Sequence, residues 1–83
     1  MKPFSQYVSL AERHWRTWLL RRVAELERTG LLQAKLREAA ERTETDSVEL
    51  RKHFIQQGLT PRQAYQRAWE IVRERYLFLP PEE

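Results

Sequence analysis

The chain has 83 residues with no cysteine, so it fits a single domain and excludes disulfide scaffolding, thiol catalysis and cysteine-ligated metal centres. Its formal net charge of +3 is a mild basic excess, which permits a nucleic-acid partner without requiring one. No stretch approaches the ~18 apolar residues of a membrane span, and residues 1–5 precede no apolar signal region, so we expect a cytoplasmic protein without a membrane partner.

Helices are the expected elements throughout, because strong helix formers are abundant and the chain has only two glycines. Gly30 and Gly58 are each followed by leucine, which is typical of the left-handed position just past a helix end. These two predicted helix ends divide the chain into three helices, at about 5–28, 31–57 and 60–78. The predicted fold is all-α, an antiparallel three-helix bundle that forms one domain over residues 1–83.

The first predicted helix, 5–28, carries one apolar stripe at steps of three and four residues. Its members are Val8, Ala11, Trp15, Trp18, Leu19, Val23 and Leu26. Arg22 falls inside this stripe, between Trp18 and Leu26. A buried arginine needs a partner, so we expect it either to pair with an acidic residue of the second helix or to reach the edge of the core.

The second predicted helix, 31–57, keeps one helical phase over its whole length. The residues in phase are Leu32, Leu36, Ala39, Thr43, Ser47, Leu50 and Phe54. Residues 43–47 are poor helix formers, and Asp46 with Glu49 has the spacing of a fresh capping box. The unbroken phase favours one continuous helix, and a break near 44–47 is the alternative.

The third predicted helix has the clearest start in the sequence. Thr60 is the expected N-cap, Pro61 occupies the first helical position and Gln63 completes a capping box. Pro80 and Pro81 end the segment. In the antiparallel register the large Trp15 and Trp18 of the first helix face small residues of the second, Ala39, Ala40 and Thr43.

A basic run in the first helix is the candidate nucleic-acid surface. Three arginines of this run would contact phosphates, Arg13, Arg16 and Arg21, together with Arg67 and Arg73 of the third predicted helix. The alternative is internal neutralisation, because the register places this run beside Glu38, Glu41, Glu44 and Asp46 of the second helix.

The apolar run at residues 76–79 is the candidate protein-docking surface, because a helix shows only part of such a run to its own core. A C-terminal segment folded back over the bundle is the alternative. With Leu20 on the outer face of the first helix, the candidate partner-binding residues are Leu20, Tyr76, Leu77 and Phe78.

Catalytic and metal-binding patterns are absent from the sequence. There is no nucleophile elbow and no glycine-rich phosphate loop, and His53 with Glu49 supplies only two ligands of a metal site. We therefore expect a non-enzymatic protein without a cofactor or metal.

The spacing of small and apolar residues resembles that of short helical proteins encoded by bacterial phages and transposons. The pattern comprises Gly30-Leu31-Leu32, Leu36, Ala39-Ala40, Gly58, Ala64, Ala68 and residues 76–82. The resemblance transfers no site residue, but it implies a protein that binds a host or element-encoded machine, as inhibitors of CRISPR effectors do.

Two functions follow as hypotheses. The first is a protein-interaction module, an inhibitor or adaptor that occludes a partner protein or ribonucleoprotein. The alternative is a small basic nucleic-acid-binding accessory protein. Either is compatible with a homodimer, since a small bundle with leftover apolar surface can complete its core by self-association.

Overall fold

Helices form every regular element of residues 3–82, the part of the chain that this computed structural model describes. The elements are α1 (Phe4–Trp18), α2 (Leu20–Arg28), α3 (Leu32–Gln56), α4 (Pro61–Val72) and a π-helical turn, Arg73–Leu77. The all-α class is confirmed. The predicted count of three helices is wrong, because the first predicted helix is two helices. The N-terminal Met1 and Lys2 and the terminal Glu83 lie outside the described residues.

The break between α1 and α2 lies at Leu19, whose backbone is non-helical at φ −124° and ψ 52°. Neither proline nor glycine occurs there. Instead Glu82 forms hydrogen bonds with backbone groups on both sides of Leu19. Its N–H donates to the Trp18 carbonyl at 3.1 Å, and its carboxylate accepts from the N–H groups of Arg21 and Arg22 at 3.0 and 2.8 Å. An inserted side chain is a recognised cause of helix breaks.

The predicted continuity of the second helix is confirmed by α3, which runs without interruption over 25 residues. Of the poor helix formers in its middle, Thr43 and Ser47 lie on its buried face, whereas Thr45 is exposed. Thr43 is fully buried, and its hydroxyl donates to the Ala39 carbonyl at 2.8 Å. The polar side chains near 43–47 are therefore accommodated within the helix, and Asp46 starts no new one.

Both glycine-terminated helix ends are confirmed. Gly30 and Gly58 have φ values of +75° and +101°, the left-handed region that glycine enters without strain. After Gly30, the Leu31 N–H donates to the Leu26 carbonyl at 2.8 Å, and the corresponding bond after Gly58 joins Leu59 to Phe54 at 3.1 Å. Each is paired with a shorter-range bond, from the Gly30 N–H to the Glu27 carbonyl at 3.2 Å and from the Gly58 N–H to the Ile55 carbonyl at 3.0 Å, which completes a Schellman motif at each helix end.

The predicted start of the third helix is also confirmed. The Gln63 N–H donates to the Thr60 hydroxyl at 3.2 Å, and the Thr60 N–H donates to the Gln63 side-chain oxygen at 3.0 Å. Pro61 occupies the first turn, where its missing N–H costs nothing. This reciprocal capping box fixes where α4 leaves the Gly58 turn.

The core lies along α3, against which α1, α4 and the π-helical turn all pack. Its buried apolar members are Tyr7, Ala11, Trp15, Leu19, Val23, Leu32, Leu36, Ala39, Ala40, Ala64, Ala68, Val72 and Leu77. Tyr7 of α1 and Trp69 of α4 stack with ring centroids 6.0 Å apart. Trp69 also meets Phe78 edge-on at 6.2 Å, so the C-terminal residues join the same core.

Candidate functional site

The C-terminal segment lies against α1. We call residues 77–82 the strap. The Trp15 indole N–H donates to the Leu77 carbonyl at 3.0 Å, and His14 Nε2 lies 2.7 Å from the Leu79 carbonyl oxygen. With the contacts of Glu82, these bonds fasten the strap to α1 and to the start of α2.

This placement corrects the predicted docking surface at the C-terminus. Leu77 is 0% exposed, so its prediction as a partner-contacting residue is wrong. Tyr76 and Phe78 are half-buried. The Tyr76 hydroxyl donates to an Asp46 carboxylate oxygen at 2.6 Å, and this hydrogen bond raises the pKa of Tyr76. The folded-back segment, the alternative drawn from the sequence, is the arrangement that the structure has.

Trp18 is the second correction, because its expected place in the core stripe is wrong. The indole is 52% exposed, while the neighbouring Leu19 is buried. Trp18 is the last residue of α1, and its side chain lies next to the His14 ring at a centroid distance of 6.5 Å. His14 in turn contacts Phe78 at 5.3 Å. Trp18 is thus the solvent-facing end of an aromatic series that begins in the core.

Leu20 is 64% exposed on the other side of the break, so its expected exposure is confirmed. A role for Leu20 in partner binding stays a prediction. Together Trp18 and Leu20 place two large apolar side chains in solvent within three residues. Exposed apolar groups are ordinary singly, but a tryptophan beside arginines has the composition of an interface centre.

The basic run is not neutralised by α3, so that expectation is wrong. Among residues 3–82, the side chains of Arg13 and Arg21 are exposed and make no ion pair. Arg16 instead pairs with Glu12 at 2.9 Å and Glu27 at 3.5 Å. The hydrogen bond to Glu12 raises the pKa of Arg16. The acids of α3 pair elsewhere: Glu38 with Lys35 and Arg42, and Asp46 with Arg75.

The five arginines of the predicted nucleic-acid surface are not gathered into one site. Arg13 lies on α1 and Arg21 on α2, whereas Arg67 lies beside the Gly58 turn. Arg73 is half-buried and lines a depression with the strap prolines. Because Arg16 already has two carboxylate partners, the exposed cations around the break reduce to Arg13, Arg21 and Arg22.

A cleft that the sequence reasoning did not find lies between α1, α2, α3 and the C-terminal residues. It has a volume of about 230 Å³. Its lining residues are Trp15, Arg22, Lys35, Glu38, Ala39, Arg75, Tyr76 and Leu79. The only sequence signal for this cleft was Arg22, which falls inside the apolar stripe of the first predicted helix. Arg22 is exposed, and its guanidinium carbon lies 5.6 Å from the centre of the Trp15 ring.

Among the described residues 3–82, neither histidine belongs to a metal-binding group. His14 is engaged with the strap, and His53 is exposed beside Phe54. Within residues 3–82, no three His, Asp or Glu side chains are close enough to hold a metal ion. Among the same residues, no helix has the length and apolar character needed to cross a bilayer.

Comparison with known proteins adds no family assignment. No protein-family model matches the chain, and searches of curated proteins and of solved structures return no match. The surface around the α1–α2 break and the cleft beside it are therefore the features of this chain that bear on its function.

Proposed function

We propose that this protein is a non-enzymatic interaction module that binds an acidic surface of a partner protein and occludes it. The contact surface is the α1–α2 break, with Trp18 and Leu20 as its apolar centre. The observation that carries the proposal is the exposure of these two side chains, 52% and 64%, next to arginines without carboxylate partners among residues 3–82.

The basic side chains near the break indicate that the partner's surface is acidic. Arg21 and Arg22 lie in the first turn of α2 directly after the break, Arg13 lies on α1 before it, and Glu82 is the acidic residue that the strap brings to the break. Its carboxylate is already occupied by two backbone N–H groups. A partner that supplies aspartate or glutamate around an apolar residue would match this surface in both sign and character.

The strap supports the proposal because it fixes the backbone on both sides of the apolar centre. The carbonyl of Trp18 and the N–H groups of Arg21 and Arg22 all bond to Glu82. A surface that is ordered before binding loses less conformational entropy when the partner arrives. Such a compact binder suits the occluding inhibitors of phages and mobile elements, the setting that the sequence resemblance implies.

The test is selection from a displayed random peptide library with the purified protein as bait. We expect the selected peptides to combine acidic residues with an aromatic or aliphatic residue. The double variant Trp18→Ser/Leu20→Ser should lose binding, and so should Arg21→Gln. The matched control is Ile55→Ser, since Ile55 is 47% exposed near the end of α3.

Three outcomes would contradict the proposal. One is a selected peptide set without acidic character, and another is full binding by the Trp18→Ser/Leu20→Ser variant. The third is salt-sensitive binding of a generic DNA duplex that Arg13→Gln abolishes, which would favour a nucleic-acid-binding accessory protein instead. Light scattering tests the homodimer: a dimer dissociated by the Trp18→Ser/Leu20→Ser substitutions would assign the surface to self-association.

A further inference from the structure

We propose that the cleft between Trp15 and Tyr76 is a binding site for a small phosphate monoester. Three cationic side chains from three separate elements line it: Arg22 of α2, Lys35 of α3 and Arg75 of the π-helical turn. Glu38 is the acidic residue of the lining. The lining therefore carries three positive charges against one negative charge, a surplus that matches the charge of about −1.5 to −2 on a phosphate monoester at neutral pH.

Arg22 is the most available of the three cations. Its side chain makes no ion pair among residues 3–82, and it lies over the Trp15 ring. Stacking on an aromatic ring orients a guanidinium group without occupying its N–H donors. The Trp15 ring is itself held by its indole hydrogen bond to Leu77, so the platform under Arg22 belongs to the fixed core.

The other two cations have only loose partners. Lys35 lies 3.5 Å from Glu38, and Arg75 lies 3.4 Å from Asp46. A charge-assisted hydrogen bond is usually about 2.7–2.9 Å long, so both contacts are stretched. Both cationic side chains are also about half exposed, where ion pairs contribute little. Turning them towards a dianion therefore gives up little stabilisation.

The size of the cleft points to a small ligand. Its volume of about 230 Å³ is below the roughly 300–1,000 Å³ typical of pockets for drug-sized molecules. It exceeds the ~30 Å³ share of one water molecule several-fold, which leaves room for a phosphoryl group and a compact organic body. Tyr76 and Leu79 line the side on which that body would lie. The proposed ligand is a small molecule, and the cleft shares only Arg22 with the proposed protein-binding surface, so the two proposals can fail separately.

The experiment is an NMR titration of the isotope-labelled protein with phenyl phosphate at low ionic strength. The side-chain N–H signals of Arg22 and Arg75 and the Trp15 indole N–H report on the cleft. We expect saturable shifts with a dissociation constant of about 1 mM or tighter, and inorganic phosphate should compete. Benzoate, which keeps the ring but carries a single negative charge, should bind about tenfold more weakly.

Matched variants separate a built site from general attraction to a basic protein. Arg22→Gln and Arg75→Gln should each weaken phenyl phosphate binding by about tenfold, the usual consequence of losing a charged hydrogen bond. Arg67→Gln removes the same charge beside the Gly58 turn and should leave binding unchanged. Shifts that do not saturate, or equal weakening by Arg67→Gln, would overturn the proposal. Equal affinity for benzoate would reassign the cleft to carboxylates and overturn its assignment to phosphate monoesters.

Discussion

Replacing Glu82 with alanine tests whether the strap holds the start of α2. The Glu82 carboxylate accepts from the N–H groups of Arg21 and Arg22, at the second and third positions of this helix. A side chain bonded there does the work of an N-cap, although it comes from about 60 residues further along the chain. The substitution keeps the backbone bond from residue 82 to the Trp18 carbonyl, so the first-turn N–H groups of α2 gain no helical partner in place of the carboxylate.

The expected loss of stability comes from two hydrogen bonds to the Glu82 carboxylate and from its negative charge at the start of α2. Replacing a capping side chain with alanine typically costs about 1 kcal/mol, within a range of roughly 0.5–2. A negative charge at a helix N-terminus adds about 0.3–1 kcal/mol at an exposed site. Glu82 is exposed, so we expect a total near 1–1.5 kcal/mol. In a domain of this size, each kcal/mol lowers the midpoint of thermal unfolding by about 4–8 °C.

The assay is thermal and urea unfolding followed by circular dichroism, with amide hydrogen exchange at Arg21 and Arg22. Glu49→Ala is the control, because Glu49 is exposed within α3 and the substitution removes the same charge. High salt should reduce the charge-dependent part of the Glu82 effect by screening it. If Glu82→Ala unfolds like the control and leaves exchange at Arg21 and Arg22 unchanged, the capping argument is refuted.

Three further predictions concern the core and the helix ends. Leu77→Ala should lower the free energy of unfolding, measured in urea, by about 2–5 kcal/mol, because Leu77 is fully buried. A decrease below about 1 kcal/mol would contradict its core position. Thr60→Ala should cost about 0.5–2 kcal/mol, whereas Thr45→Ala, on the exposed side of α3, should be near neutral; equal effects would refute the capping box. The free energy of unfolding should fall as the pH rises above about 10. Burial raises the pKa of Tyr7, and the hydrogen bond to Asp46 raises the pKa of Tyr76, so the folded state stabilises the neutral phenol of each. This stabilisation is complete below the ordinary tyrosine pKa and is lost as the pH passes the raised pKa values. Urea midpoints of wild type and Tyr76→Phe across this range check it, and an equally steep decline in the variant would exclude Tyr76.

The helix ends could be predicted because their hydrogen bonds are local. The capping box joins Thr60 to Gln63, three residues away. The bonds that close α2 and α3 span five residues, from Leu31 to Leu26 and from Leu59 to Phe54. Each of these patterns fits within a short window of sequence. Their physical requirements, a hydroxyl acceptor or a residue that tolerates positive φ, restrict the residue types that can serve.

The break and the cleft could not be predicted, because their determinants are far apart in the chain. Nothing around Leu19 departs from a helical pattern, and Glu82 reads as part of a short acidic tail. The cleft likewise combines Arg22, Lys35 and Arg75, whose proximity depends on how α2, α3 and the π-helical turn pack. The exposure of Trp18, the last residue of α1, was not predicted either, because the apolar spacing of the sequence continues through it.

Two causes can hold Leu19 out of the helix, the contacts of Glu82 and the burial of the Leu19 side chain. Deletion of residues 79–83 would distinguish them. In an uninterrupted helix the Arg22 N–H would donate to the Trp18 carbonyl, two groups that both bond to Glu82 here. The deletion frees both groups and keeps the Trp15 bond to Leu77, so we expect one continuous helix over residues 4–28. Backbone carbon chemical shifts of residues 18–22 would report the change. If Leu19 keeps non-helical shifts, its burial in the core sets the break, and Glu82 only caps a helix that already starts there.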